Sequence, residues 1–143
     1  MASPTPGFWK NDLKVPPNSR KISVAEWVAV AWSEALKRRD GPSCLVFSRQ
    51  NLAHQPRGPQ QVADIARGGY VLFEAKPGVC DAVLIATGSE VELAVQAAKR
   101  LAEEGVAARV VSMPSTTVFD RQDAENRDAV LPPSCRRRVA VEA

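Results

Sequence analysis

The stretch DAVLIATGSEVELAVQAAKRLAEEGVAARVVSM, residues 81–113, decides how this chain is read. Ala82 to Ala86 is an apolar run of strand length. Val91, Ala94, Val95, Ala98, Leu101 and Ala102 then recur at the spacing of one helical face, and Ala108 to Ser112 is apolar again. Gly105 stands where a helix ends in a left-handed residue. The order strand, helix, strand predicts two parallel neighbours joined by a right-handed crossover, with the helix over one face of the sheet. Working outward, Tyr70–Phe73 reads as a preceding strand, Lys76-Pro77-Gly78 as a turn, Asp123–Val130 as a short helix and Val139–Glu142 as a closing strand. Residues 70–143 are therefore expected to form a three-layer α/β unit with a mostly parallel sheet. Its last apolar strand, at Val139–Val141, should leave an uncovered edge or face, a liability for aggregation.

Upstream, Val24, Val28, Ala31, Trp32, Ala35 and Leu36 mark one stripe of a second amphipathic helix. Ser23 and Glu26 have the spacing of a capping box at its start, and Asp40-Gly41-Pro42 stops it. Cys44 to Phe47 then reads as a short buried strand, so residues 23–48 look like a helix–strand remnant of a second α/β domain. Residues 49–69, with Pro56, Gly58, Pro59 and Gly68-Gly69 around a helical candidate at Gln60–Ala66, read as the connection between domains. Residues 1–22 hold four prolines and no sustained period, and are expected to be irregular.

Composition narrows the function. At 143 residues, 45% apolar and 24% charged, the chain has the make-up of one ordinary globular domain or pieces of two. No run approaches the length of a membrane span, and the N-terminus lacks a basic stretch followed by an apolar one, which predicts a cytoplasmic protein with no membrane partner. Cys44, Cys80 and Cys135 are far apart with no Cys-x-x-Cys, and His54 is the single histidine, which argues against a zinc site and against a disulfide framework. The net charge of +3 is small, and the basic spots 37–39 and 136–138 have no interleaved aromatics, so no nucleic-acid partner is expected.

Chemistry concentrates at two places. The turn Thr87-Gly88-Ser89-Glu90 joins a strand to a helix N-terminus, a geometry that attracts anions. Ser89 with Glu92 also matches a capping box, and no glycine-rich phosphate loop is present. Ser48-Arg49-Gln50-Asn51 follows the first expected strand, at the end where α/β proteins place ligands. The guanidinium of Arg49 suits a bidentate grip on phosphate, and it suits an interdomain ion pair equally well on these grounds. His54 has no acid or nucleophile beside it in a known motif and reads as a surface histidine. The acidic pairs Glu90/Glu92, Glu103/Glu104 and Asp120/Asp123 read as capping and solvation, and the cysteines as inert thiols.

SRQNL at 48–52, IARGGYVL at 65–72, LIATGSEVELAV at 84–95, ARVVSMPS at 108–115, FDRQD at 119–123 and VAVEA at 139–143 together resemble transketolase of the bacterial, plant and yeast type. The resemblance implies a homodimeric transferase of the pentose phosphate pathway and of carbohydrate metabolism. Such an enzyme moves a two-carbon ketol group from a ketose phosphate to an aldose phosphate with thiamine diphosphate and Mg2+ or another divalent cation. On this resemblance, 23–48 is the last helix and strand of the pyrimidine-binding domain, 49–69 the connection, and 70–143 a truncated C-terminal domain. Arg49 occupies the place of the family's substrate-phosphate arginine. The family's cofactor and metal motifs, its catalytic histidines and its activating glutamate have no counterpart here. The chain is therefore expected to hold no cofactor and no catalytic residue, and to be inactive alone. The alternative is a non-catalytic interaction or structural module, a split-gene subunit or remnant, that associates with a transketolase-like partner.

Overall fold

The computed structural model describes residues 22–48 and 51–142. The expectation for residues 1–22 falls almost wholly outside them. Helix α1 spans Ile22–Lys37, so Ser23 lies within its first turn rather than ahead of it as a cap. Helix α2, Pro59–Asp64, runs into a 3-10 turn at Ile65–Arg67. The remaining elements are β1 (Tyr70–Glu74), β2 (Ala82–Ala86), α3 (Glu90–Glu103), β3 (Ala108–Ser112), α4 (Thr116–Asp120), α5 (Ala124–Val130) and β4 (Arg138–Val141).

The four strands form one sheet in the order β1-β3-β2-β4. Strands β2, β3 and β4 are parallel, with Leu84 opposite Val110 on one side and Val139 on the other, while β1 runs antiparallel to β3. Alternate residues of β2 and β3 feed two separate cores. Leu84, Ala86, Ala108 and Val110 pack under Val91, Ala94, Val95 and Ala98 of α3. Val83, Val111 and Met113 face the other way, onto Phe119 of α4, Val130 of α5 and Cys135. Burial on both faces is why these strands read as continuous apolar runs rather than alternating ones. Val83, Val110 and Val111 are fully buried, and each such side chain contributes roughly 1.5–3 kcal/mol.

Helix α4 has no counterpart in the sequence reading. It is too short to show a period, and its signal is the N-cap Ser115, whose Oγ accepts from the Val118 N–H at 3.3 Å. Asp123 caps α5 in the same way, accepting from the Asn126 N–H at 2.7 Å. Replacing Asp123 with alanine should cost about 1 kcal/mol, seen as a lower urea midpoint with an unchanged slope.

Two expectations for the N-terminal part are corrected. Cys44–Phe47 is not a buried strand: no ladder forms there, Cys44 is exposed, and Val46 is 84% exposed. A strand exists only as part of a hydrogen-bonded ladder, and none is assigned over these residues. The stripe of α1 is only partly covered, with Val28, Ala31 and Ala35 half-buried and Trp32 and Leu36 largely exposed. The connection, by contrast, is well tied down. Arg57 Nε donates to the Tyr70 hydroxyl at 2.7 Å. Gln61 accepts from the Gly58 N–H at 2.9 Å and donates to the carbonyls of Val71 and Leu72 at 2.9 and 3.0 Å.

Candidate functional site

The parallel strands point their carboxyl ends to one side, where α/β sheets gather ligands. There β2 turns into α3 through Thr87-Gly88-Ser89, with Gly88 at φ +54°. The expected capping box does not form. Ser89 already has helical backbone angles, and its hydroxyl donates to Glu90 Oε1 at 2.7 Å. The Glu92 carboxylate is taken by a distant donor, the Ala53 N–H at 3.2 Å, and by Gln96 Nε2 at 3.2 Å. The first turn of α3 therefore presents two carboxylates, Glu90 and Glu92, which suit the positive end of the helix and repel a phosphate.

Arg49 lies outside the described residues, as does Gln50. Their flanks do not: Ser48 Oγ comes within 3.6 Å of where a β-carbon on Gly88 would stand, and Ala53 is bonded to Glu92. In the segment that carries SRQNL, the described residues on either side of Arg49 and Gln50 therefore lie near the start of α3, Ser48 beside Gly88 of the turn and Ala53 bonded to Glu92 in the first turn of the helix. The sequence reading placed it at the end of a strand over Cys44–Phe47; its described parts instead meet the end of β2. Chain spacing gave no sign of this long-range contact.

Beside this segment, a cavity of about 610 Å³ separates α1 and residues 42–47 from the 3-10 turn and the loop into α4. Arg38, Ser115 and Arg121 are among its lining residues. Arg38 Nε donates to Asp40 at 3.1 Å, and this hydrogen bond is the main reason the Asp40 carboxyl titrates below its ordinary value. Of the other residues marked out by sequence, His54, Glu103, Glu104, Asp120 and Asp123 are exposed. Arg138, in the basic spot before β4, holds the turn ahead of that strand by donating to the carbonyls of Leu131, Pro132 and Cys135.

Two residues the sequence reading passed over are held by several contacts. Arg109 on β3 is ion-paired with Glu74, its register partner on β1, and donates to the carbonyls of Ala129 and Val130 at the end of α5. The pairing was invisible until the antiparallel register of β1 was known. Among the described residues, no three His, Cys, Asp or Glu side chains converge as metal ligands, so they do not fit the oxygen-rich donor set a hard divalent cation takes. No described helix is long and apolar enough to cross a membrane.

Comparison with known proteins gives a consistent picture. A family model described as the transketolase-like C-terminal domain matches residues 68–143. "Transketolase 2" of Vibrio parahaemolyticus is 55% identical over 133 residues, 92% of this chain and 20% of that protein. The chain thus spans about a fifth of the length of the curated relatives it matches. Among solved structures, transketolase from Leishmania mexicana superposes with a TM-score of 0.72 at 33% identity, covering 88% of this chain and 20% of that one. A Pichia stipitis transketolase in complex with sedoheptulose-7-phosphate gives 0.68 at 28% identity, covering 82% and 19%.

Proposed function

Because this chain belongs to the transketolase C-terminal domain family, we propose that it works as part of an enzyme that transfers a two-carbon ketol group from a ketose phosphate to an aldose phosphate. The observation that carries this reading is the family match over 68–143, continued upstream by the 133-residue similarity to a curated transketolase. In this reading α1 and the extended 44–47 segment are the end of the pyrimidine-binding domain, 49–69 is the connection, and 70–143 belongs to the C-terminal domain. Thiamine diphosphate supplies the carbanion chemistry in such an enzyme. It and its divalent cation would be held by parts of a homodimeric enzyme beyond those this chain matches, in the cytoplasm. This chain contributes Arg49, whose guanidinium grips the substrate phosphate. The nearness of Ser48 to Gly88 and the Ala53–Glu92 hydrogen bond support that role, since they bring the flanks of Arg49 to the ligand end of the sheet, where the Glu90 and Glu92 carboxylates repel a phosphate and a cation is needed to hold one.

Two measurements test the proposal. The purified chain, given thiamine diphosphate and Mg2+, should show no ketol transfer; turnover would refute the division of labour. A chimera carrying this chain in place of the matched stretch of the Vibrio parahaemolyticus enzyme should be active. In it, Arg49→Ala should raise KM for a ketose phosphate by about 10- to 100-fold, the loss of a charge-assisted forked contact, and leave a non-phosphorylated donor unaffected. An unchanged KM removes Arg49 from the site.

The uncovered apolar surface of Trp32, Leu36 and Val46 favours a second reading, a non-catalytic module that docks on a transketolase-like partner. Co-elution with a chain carrying the cofactor domains, with no gain in that chain's activity, would select it over the first.

A further inference from the structure

We propose that Cys80 and Cys135 form a reversible intramolecular disulfide that ties the start of β2 to the start of β4. The two cysteines lie on the segments that lead into these neighbouring strands. Val83 is the ladder partner of Arg138, and Leu84, Ile85 and Ala86 follow in step with Val139, Ala140 and Val141. Cys80 stands three residues before Val83, and Cys135 stands three residues before Arg138. The ladder itself stops at Val83 and Arg138, and Cys135 closes a turn by donating its N–H to the Pro132 carbonyl at 3.0 Å, so the segments that carry the two cysteines flank the same end of the β2–β4 pair.

The side chains bear this out. Both belong to the apolar cluster built on Val83, Val111 and Met113. Cys135 is 2% exposed and Cys80 is half-buried, so an oxidant reaches the pair through Cys80. The Cys80 thiol donates to the Ala82 carbonyl at 3.5 Å. Burial first, and the neighbouring Cys135 thiol second, push its pKa up to about 11, so Cys80 rests as a protonated thiol. Cys44, the remaining cysteine, is exposed and apart from both clusters of the core.

The oxidant is a low-molecular-weight disulfide of the glutathione class. Cys80 gives up its proton and attacks one of the oxidant's sulfurs, releasing one small thiol and leaving a mixed disulfide on Cys80, a step that is slow at neutral pH and quickens as pH rises toward the Cys80 pKa. The Cys135 thiolate then attacks the Cys80 sulfur and expels the second small thiol. Two protein thiols are oxidised, one small disulfide is reduced, and the two protons leave with the small thiols. The closed loop, residues 80–135, encloses β2, α3, β3, α4 and α5, so the bond restrains about two fifths of the unfolded chain.

The test uses the 143-residue chain with Cys44→Ser, to remove exchange at the exposed thiol. It is equilibrated with glutathione disulfide, trapped by alkylation under denaturing conditions and analysed by mass spectrometry. The expected product has lost about 2 Da, offers no thiol to the alkylating reagent, yields a Cys80–Cys135 linked peptide, regains both thiols in dithiothreitol and unfolds at a higher temperature than the dithiol form. In the further variant Cys135→Ser, Cys80 should stop at the mixed disulfide with glutathione. Two alkylatable thiols throughout the titration, or a glutathione adduct on Cys80 that persists while Cys135 is present, would overturn the proposal. Linked-peptide mapping of the unsubstituted chain reads the same bond should a variant fail to fold.

Discussion

Gly68→Ala is expected to destabilise the chain by about 4 kcal/mol, a large share of the roughly 5–15 kcal/mol that holds an ordinary domain folded. Two costs combine. Gly68 has φ +84°, where a β-carbon is strained whatever surrounds it, and that β-carbon would lie 2.5 Å from the Ser115 carbonyl oxygen and 2.6 Å from the Phe119 nitrogen. Both obstacles are backbone, so relief would have to come from moving the loop that α4 grows out of. That loop is itself bonded to Gly68, whose carbonyl accepts from the Ser115 N–H at 2.9 Å. Gly78→Ala separates the two costs, because Gly78 has a similar φ of +77° with open space where its β-carbon would stand. It should cost only about 1 kcal/mol. Equal urea midpoints for the two variants would show that the close approach at Gly68 contributes nothing.

Arg109→Met should cost about 3 kcal/mol. The Arg109 side chain is 13% exposed and its partner Glu74 27%, so this pair is screened far less than a surface one. Methionine keeps the apolar stem but strands the Glu74 carboxylate and removes the donor from the Ala129 and Val130 carbonyls. Urea unfolding of Arg109→Met, Glu74→Leu and the double variant gives the coupling. The double variant should recover about 1–2 kcal/mol of the summed losses, because it leaves no charge without its partner. Strict additivity would mean that the two side chains stabilise the fold independently.

What could be read from the sequence follows the distance over which each element is determined. The β2–α3–β3 unit was legible because its periods, its Gly105 terminus and its short connections all lie within residues 81–113, and a parallel neighbour is the one arrangement they favour. Asp123 was legible as an element boundary for the same reason. Cys44–Phe47 was misread because an apolar run specifies burial only when something covers it, and Cys44 and Val46 are exposed. The Ser89–Glu92 box failed because Ala53, remote in sequence, offers Glu92 a competing donor. Arg109 and Glu74 could not be paired before the register of β1 was known, and Cys80 and Cys135 could not be placed in one cluster before β2 and β4 were known to be neighbours. At the candidate site, Arg49 could be picked out by residue type and motif, whereas the β2–α3 turn that holds its flanks is a tertiary fact.

The sheet's two margins are treated differently. At β1 the Gln61 amide occupies the carbonyls of Val71 and Leu72, and the ladder shifts register between Val71 and Phe73, so the margin is both filled and bent. At β4 no described strand pairs with the outer side, and Val139 is 52% exposed. The two edges therefore differ in what they offer: part of the β1 edge is occupied by a side chain, whereas the outer side of β4 is left unfilled by the described strands and is the more open of the two to a further strand.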